Sequence, residues 1–432
     1  MHKILIIAPH FPPSNLASVH RTRLFAQHLP RYNWEPIILC VHEKYYEENL
    51  DWNLYKLLPT QLKIEKVHAN KLTKPRLIGD IGLRAFIQLY KKAKEIIKTN
   101  EIDFIYIPIP SFYVALLGRL LHKKIGIKYG IDYIDPWVHN FPNSNKLFTR
   151  HWVSKKIANT LEKIAVKKAS LITGVAEGYY TGVIQRNPSL VNTCTFAAMP
   201  YGGEIEDHKF VHKFNLQPYL FQKENEKINI VYAGAFLPKS KEPFEQICKA
   251  IAESKGLYQN IVFHFIGTGR KNNNVEEESI LPIAKKYGIA ETIIKEYPNR
   301  IPYLDVLVHL SIADGILILG STEPHYTPSK SYQAVLSQKP ILAVLHKQCY
   351  AIKILQTSNA AVVLSFDGES ELEKIYNNFN NLVQEWLLFK KEYNINNINY
   401  SVFNSYSANE VTKILSVELN KVIGINLAES KS

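Results

Sequence analysis

The chain has 432 residues, a formal net charge of +13 and 46% hydrophobic residues, a balance that excludes a disordered chain. Its length predicts two or three domains, and no apolar run reaches the roughly 18 residues that a membrane-spanning helix needs. We interpret the N-terminal MHKILIIAPHFPP as a first strand, because a proline-rich turn follows it instead of a signal-peptide cleavage site. The four cysteines form no CxxC pair, which argues against a zinc site or disulfides and predicts a cytoplasmic location: Cys40, Cys194, Cys248 and Cys349.

The positive charge is concentrated in the first half of the chain. Residues 1–200 contain 28 Lys and Arg against 14 Asp and Glu, whereas the remainder contains 24 against 25. This asymmetry predicts an anionic partner for the first half alone, unless the charge serves only solubility. Nucleic-acid-binding motifs are absent, so we expect no nucleic acid. An anionic membrane surface is the favoured partner, with peripheral attachment at the inner face of the cytoplasmic membrane.

Short apolar runs alternate with helical stretches along the first half, the pattern of βαβ units around a parallel sheet. The predicted strands, apolar on both faces, cover residues 3–9, 35–41, 103–109, 126–133 and 170–176. The predicted helices at 84–98 and 152–168 interleave apolar and basic residues, so they are the candidates for membrane contact. This part predicts a first α/β domain over residues 1–202.

Periodicity is lost over 203–226, which we interpret as a linker. A second βαβ series follows, with strands predicted at 228–234, 261–267, 292–297, 315–320, 340–345 and 360–365. The sequence therefore predicts a second parallel-sheet domain over 227–404. A last helix at 405–424 could complete either domain.

In parallel sheets, ligands bind at the loops beyond the carboxyl ends of the strands. The first such loop, 9–29, contains no glycine, which argues against the GxGxxG site of a dinucleotide cofactor. It carries His20, whose alternative role is capping or packing. The loop at 130–141 carries Asp135, placed to orient a hydroxyl or simply to cap a turn.

Three loops of the second half carry cations. Lys239 and Lys241 follow the strand at 228–234, and Arg270 follows a GTG turn that is weak evidence by itself. At 319–345, Lys330 lies in a predicted first helical turn, which the helix dipole disfavours unless an anion binds there. These loops therefore predict a phosphate site, with solvated surface cations as the alternative.

These loops together resemble those of the GT-B glycosyltransferases, in particular the retaining glycosyltransferase family 4. The resemblance rests on these blocks: APHFPPSNLASVHRTRLFAQHL, IDYIDPW, MPYGGE, YAGAF with KSKEP, and EPHYTPSKSYQAVLSQKPILAVL. It implies two facing Rossmann-like domains with parallel sheets, the basic first domain holding the acceptor and the second the nucleotide sugar. It also implies that the helix at 405–424 packs back on the first domain.

Matching these blocks position by position implies a set of site residues. The implied donor-binding residues are Gly234, Lys239, Lys241, Thr327, Ser329, Lys330 and Gln333, to which the loop after the GTG turn adds Arg270. The implied acceptor-binding residues are Ser14, Asn15, Arg21 and Trp137. The implied catalytic residues are Asp135, Glu323 and His20. Two departures affect donor recognition: Gln333 replaces the family's glutamate, and Ser14 and Asn15 replace its paired glycines.

The function that follows is transfer of a sugar from a UDP- or GDP-sugar to a hydroxyl of a glycan or lipid-linked acceptor. Surface polysaccharide synthesis is the expected setting. We expect no metal. We also expect no resident cofactor, because the nucleotide sugar is a substrate. Two alternatives stay open. One is a UDP-sugar epimerase of similar fold, which would need a cluster of carboxylates. The other is a non-catalytic, membrane-apposed scaffold of a polysaccharide assembly complex, which the Gln333 substitution favours.

Overall fold

The protein is represented by a computed structural model that describes residues 1–72, 79–138, 149–269, 277–323 and 330–425, with the backbone alone at His212 and Lys330. The chain divides into two compact units. Unit 1 consists of Met1–Gly202 together with Ala408–Ser432, and unit 2 consists of Gly203–Ser407.

Unit 1 is built on a sheet of seven parallel strands. The strands are β1 His2–Ile7, β2 Trp34–Val41, β3 Lys63–Val67, β4 Phe104–Ile109, β5 Lys128–Tyr133, β6 Leu171–Gly174 and β7 Thr195–Ala198. Their order in the sheet is β3-β2-β1-β4-β5-β6-β7. The helices between them are α1 Ala17–His28, α2 Trp52–Tyr55, α3 Ile81–Arg84, α4 Phe86–Asn100, α5 Ala115–Ile125, α6 Arg150–Val166 and α7 Gly178–Arg186.

Unit 2 is built on a six-stranded parallel sheet. The strands are β8 Ile228–Ala233, β9 Ile261–Ile266, β10 Ile294–Tyr297, β11 Gly315–Leu319, β12 Ile341–His346 and β13 Ala361–Phe366, in the order β10-β9-β8-β11-β12-β13. The helices are α8 Ile205–Lys213, α9 Lys241–Glu253, α10 Leu281–Lys286, α11 Tyr303–Ile312, α12 Lys330–Leu336, α13 Ala351–Thr357, α14 Leu372–Glu392 and α15 Tyr400–Asn404. A final helix, α16 Ala408–Ile423, belongs to unit 1.

Helices cover both faces of the unit 1 sheet, which is why its strands are apolar on both faces. Successive residues of a strand point to opposite faces. Leu5 and Ile7 of β1 therefore pack under α4, α5 and α6, whereas Ile4 and Ile6 pack under α1 and α16. The outward surfaces of α4, α5 and α6 consequently lie on the same side of unit 1.

Both sheets have the strand order of a doubly wound Rossmann-like fold. In such a sheet the chain reverses its direction of winding between the first and fourth strands, and ligands bind beyond the carboxyl ends there. The reversal lies between β1 and β4 in unit 1 and between β8 and β11 in unit 2. The loops that leave these strands are therefore where a site is built in each unit.

All eleven predicted strands are confirmed, two strands were missed, and the predicted linker contains a helix. β3 and β7 are the edge strands of the unit 1 sheet, and β3, with the sequence KIEKV, is too polar to be recognised as a buried strand. The segment predicted as a linker contains α8, whose sequence IEDHKFVHK is mostly polar.

Candidate functional site

Four polar side chains missed by the sequence analysis gather near the carboxyl edge of β1 and β4 in unit 1. His10 Nδ1 lies 2.9 Å from Glu48 Oε1, and the hydroxyl of Ser14 donates to the same oxygen. Burial alone would raise the pKa of Glu48, but the hydrogen bonds from His10 and Ser14 and the nearby imidazole lower it to about 2. Glu48 is therefore a fixed negative charge at this edge.

Asp80 and Ser111 form the second part of the same group. Ser111 Oγ donates to both carboxylate oxygens of Asp80, at 3.1 and 3.0 Å. Burial raises the pKa of Asp80, whereas its hydrogen bonds and the nearby His10 act in the opposite direction. His10 lies in the first block of the resemblance but was given no role there, and Glu48, Asp80 and Ser111 lie outside every block. They are linked only by the rule that the carboxyl ends of neighbouring parallel strands meet at one edge.

Arg21, predicted to bind the acceptor, forms a buried ion pair with Asp132. Its guanidinium donates to both carboxylate oxygens of Asp132, at 2.7 and 3.1 Å, and to the carbonyl of Pro200 at 3.0 Å. Asp132 also accepts from Thr173 Oγ1 at 2.8 Å. Burial opposes the charge of Arg21, but Asp132 outweighs it and raises the arginine pKa. Arg21 thus links α1 to β5, and its role toward an acceptor stays a prediction.

Asp135, predicted to be catalytic, is exposed just beyond β5. Two tyrosines lie close enough to sense its charge. Burial, followed by the charge of Asp135, raises the pKa of Tyr179; burial also raises the pKa of Tyr201, with Asp135 contributing. A carboxylate open to solvent and flanked by two phenols is suited to hydrogen bonding with hydroxyl groups of a ligand.

The other predicted residues of unit 1 differ in accessibility. His20 is half-buried, and its Nε2 lies 2.7 Å from Oδ1 of the buried Asn15. Trp137 packs in the core, with its ring stacked on Phe112 at a centroid distance of 5.8 Å. Trp137 therefore presents little surface to an acceptor. Its packing role is observed, and its role in acceptor binding stays a prediction.

In unit 2, a backbone hydrogen bond holds the loop after β8 at the point where the chain reverses its direction of winding. Gly234 has φ of 122°, in the region that favours glycine, and its N–H donates to Ile266 O at 2.7 Å. Two residues from separate loops meet beyond it, because Thr322 N donates to Lys239 O at 3.0 Å. The backbones of the loops after β8 and β11 are therefore joined.

This junction carries charges of both signs. The ammonium of Lys239 lies 2.9 Å from Glu369 Oε1, and both side chains are exposed. Glu323 is also exposed, with its N–H held by Ser321 Oγ at 3.2 Å. Lys241 is exposed at the first turn of α9, where a cation opposes the helix dipole. Such cations at a strand-to-helix loop are suited to an anionic ligand.

Gln333, the residue that departs from the family pattern, contacts a histidine from α8. Gln333 Oε1 lies 2.8 Å from His208 Nε2, and burial lowers the pKa of His208. Burial thus favours the neutral imidazole beside the amide. The sequence analysis did not identify His208, which lies in the segment predicted as linker.

Several predictions fall outside the described part of the chain. Arg270, Thr327 and Ser329 are not described, and of Lys330 only the backbone is, at the start of α12. Among the described residues, no group of three or more His, Cys, Asp or Glu side chains is placed to hold a metal ion. No helix within the described ranges is long and apolar enough to cross a membrane.

Solved structures match almost the entire chain at low sequence identity. Sucrose-phosphate synthase from Thermosynechococcus elongatus matches with a TM-score of 0.65 and 11% identity, covering 98% of this chain and 100% of its own. A glycosyltransferase from Rickettsia africae matches with a TM-score of 0.62 and 14% identity, covering 98% of both chains. Anabaena HepE in complex with UDP and glucose matches with a TM-score of 0.63 and 14% identity, covering 98% of this chain and 100% of its own.

The predicted fold class is therefore confirmed: the chain has the α/β fold of the GT-B glycosyltransferases, with two parallel sheets. No family model matches the sequence, and no curated protein matches it.

Proposed function

We propose that this protein is a glycosyltransferase that moves a sugar from a nucleotide sugar to a hydroxyl of a glycan or lipid-linked acceptor. The observation that carries the proposal is the fold, shared over almost the whole chain with structures named as a synthase and a glycosyltransferase, and with HepE, which is bound to UDP and glucose. The UDP bound to HepE supports a UDP-sugar as the proposed donor, and a GDP-sugar is proposed on the sequence resemblance alone. Surface polysaccharide synthesis is the proposed setting.

Donor binding is assigned to unit 2. Its loops after β8 and β11 are joined at Lys239 and Thr322, beside the exposed Lys241. When the bond between the sugar and the diphosphate breaks, negative charge grows on the departing oxygen. Fixed cations stabilise such charge, because they are already oriented when it develops. Lys239 and Lys241 are proposed to supply these cations. Arg270 stays a prediction from its own loop, and Thr327, Ser329 and Lys330 stay predictions from the resemblance.

Acceptor binding is assigned to unit 1. The exposed carboxylate of Asp135 accepts a hydrogen bond from the attacking hydroxyl and so orients its oxygen toward the anomeric carbon. His20 is the second proposed polar group there. Retention at that carbon is part of the proposal and rests on the resemblance alone. Independence from metals is also proposed, because the loop sequences contain no cluster of metal-ligand residues. Glu323 is proposed to contact the sugar from the donor side.

A non-catalytic scaffold is the second candidate. Gln333 replaces the family's glutamate and hydrogen-bonds His208, so its amide is already engaged. An amide also lacks the charged grip on ribose hydroxyls that a carboxylate provides. A scaffold would bind a nucleotide sugar weakly or not at all and would never consume it.

The test is a thermal-shift panel of UDP, GDP, dTDP and CMP and their sugars, followed by measurement of nucleotide release. A ligand that binds the native state raises the melting temperature, and the stabilisation grows with the logarithm of its concentration over its dissociation constant. We expect one nucleotide to stabilise the protein and its sugar form to be consumed in the presence of an acceptor. Binding without any consumption would favour the scaffold.

Lys241→Ala tests the donor site. Loss of a hydrogen bond to a charged group costs about 1.5–3 kcal/mol, so we expect roughly 10- to 100-fold weaker nucleotide binding in a titration. Lys249→Ala is the matched control, because Lys249 is exposed on the same helix but packs over Tyr376, two turns away. Equal affinities in the two variants would contradict the assignment of this loop.

A further inference from the structure

The helices α4, α5 and α6 form a strongly basic layer on one face of the unit 1 sheet. They contain eleven Lys and Arg residues and two glutamates. Both glutamates already have partners: Glu95 pairs with Lys92, and the buried Glu162 pairs with Arg186. We call the outward surface of these three helices the basic layer. It therefore has almost no negative charge to balance its lysines.

A groove lies within the basic layer, between α4 and α5. Its volume is about 370 Å³, and it is lined by Phe86, Ile87, Tyr90, Lys91, Lys94 and Leu120. Two aliphatic side chains on its rim are open to solvent, with Ile87 63% exposed and Leu120 42% exposed. Exposed aliphatic groups gathered around a concave surface indicate a contact site, whereas scattered ones do not.

The lysines beside this groove form no ion pair within the described ranges. Ile87, Lys91 and Lys94 are spaced four and three residues apart, so they follow one side of α4. No carboxylate in the described part of the chain pairs with Lys91 or Lys94, although Lys94 lies over the ring of Tyr90 at 5.8 Å. Lys92, on the other side of α4, pairs with Glu65 and Glu95. On α4, the two lysines next to the apolar groove are thus among those without an ion pair in the described part of the chain.

The same combination continues onto α6. Val153, Ile157 and Ile164 are exposed and lie within about 40° of each other around the helix, given its 3.6 residues per turn. Lys156 and Lys163 flank them. Because α5 packs against both α4 and α6, the groove and this stripe belong to one continuous surface.

We propose that the basic layer docks on an anionic lipid bilayer, with the lysines on the headgroup phosphates and the aliphatic side chains in the interface. Basic residues bind anionic headgroups, and apolar neighbours on the same helices add shallow burial. Single-stranded nucleic acid fits less well, because aromatic stacking platforms are its usual partner and the open side chains here are aliphatic. The proposal is independent of catalysis and holds for an enzyme or a scaffold.

The test is co-sedimentation of the full chain with phosphatidylcholine vesicles, with and without phosphatidylglycerol, at low and high salt. We expect binding only with phosphatidylglycerol and weaker binding at high salt, because salt screens the lysines. Replacing Lys91 and Lys94 by Gln should weaken partitioning about 30-fold, at ~1 kcal/mol for each lysine. The triple variant with Ile87→Gln should bind less still, and more weakly at high salt than the double variant.

A matched control lies in unit 2. Leu388 is as exposed as Ile87, at 63%, and Lys390 and Lys391 follow it on α14. The variant Leu388→Gln, Lys390→Gln, Lys391→Gln therefore removes the same groups and should bind vesicles like the unchanged protein. Melting temperatures of both triple variants establish that they fold.

Several outcomes would overturn the proposal. They are absence of binding at low salt, equal binding to pure phosphatidylcholine, and equal loss in the unit 2 control. Binding of a polynucleotide but not of vesicles would assign the basic layer to nucleic acid. A dimer that the Ile87 variant dissociates, without vesicle binding, would assign it to a second copy of the chain. Nucleotide binding measured alongside separates these outcomes from failure of the glycosyltransferase proposal.

Discussion

Asp132 and Asp135 are three residues apart and have opposite environments. Asp132 lies in β5 and points to the face of the sheet that α1 covers, where Arg21 neutralises it. Asp135 lies beyond the end of the strand and is exposed. A strand that is buried on both faces has no solvent to hydrate a carboxylate, so the residue inside the strand needs a partner. Asp132 therefore contributes to stability, whereas Asp135 is the one proposed to take part in the reaction.

Asp132→Asn should destabilise unit 1. The substitution leaves the buried guanidinium of Arg21 without its counter-charge, and breaking a buried ion pair costs about 3–5 kcal/mol. Urea denaturation measures this as a lower free energy of unfolding. Arg21→Met with Asp132→Leu, which removes both charges, should recover part of the loss. A change under about 0.5 kcal/mol in Asp132→Asn, as for ordinary surface substitutions, would show that the pair is not what stabilises this face.

Asp135→Asn should leave stability and nucleotide binding unchanged and reduce sugar transfer. An amide accepts a hydrogen bond less strongly than a carboxylate, and it has no charge to polarise the acceptor hydroxyl. Removal of one such interaction costs a rate factor of about 100–10,000. Single-turnover transfer assays with saturating donor measure it. Loss of nucleotide affinity with transfer intact would reverse the assignment of acceptor and donor to units 1 and 2.

At the scale of elements, two buried histidines of unit 2 contact the segment that precedes β8. His264 of β9 lies 2.9 Å from Asn229 Oδ1 and is stacked by Phe221 at a centroid distance of 4.0 Å. His309 of α11 accepts from the N–H groups of Tyr219 and Leu220 through Nε2, at 3.2 and 3.1 Å. Acceptance at Nε2 requires a neutral imidazole, so this attachment depends on the histidine staying unprotonated.

Acidification should therefore weaken unit 2. Burial, with Lys295 and His309 nearby, lowers the pKa of His264 to about 4, from about 6.5 in an unfolded chain. The unfolded chain binds the proton first, so stability is complete above about pH 6.5 and falls as pH decreases toward 4. Urea unfolding at several pH values gives the slope. His264→Phe, which can still stack on Phe221, should show a shallower slope over this range, and an unchanged slope would exclude His264 as the cause.

Elements also show what the sequence could predict and what it could not. Strands buried on both faces are continuous apolar runs, so β1 and β8 were found, whereas the polar edge strand β3 was not. For α4, periodicity identified the helix but not which of its sides is buried. Within the helix predicted to contact a membrane, Leu89 is completely buried and Ile87 is exposed. Exposure depends on which elements pack nearby, and a single helical sequence does not contain that information.

At the scale of the molecule, chain order predicted the fold more completely than the site. The sequence of strands and helices determines which loops leave a sheet at the same edge, so Lys239, Asp135 and Glu323 were predicted to lie in such loops, where the structure has them. Contacts between distant segments were not predictable. Glu48, 38 positions after His10, and His208, 125 positions before Gln333, follow no spacing rule. Such pairs are created by packing, and they account for most of what the sequence analysis missed.

Unit 2 is inserted between two parts of unit 1, which has a consequence for synthesis. Val411, Leu415 and Leu419 of α16 complete the apolar layer that contains Trp34 of β2. The ribosome makes the roughly 200 residues of unit 2 before this helix, which takes about 10–40 s at about 5–20 residues per second. During that interval the nascent first segment exposes a hydrophobic surface that only the last helix can cover. The second unit can therefore reach its native state earlier, and the first is the one that needs protection by chaperones.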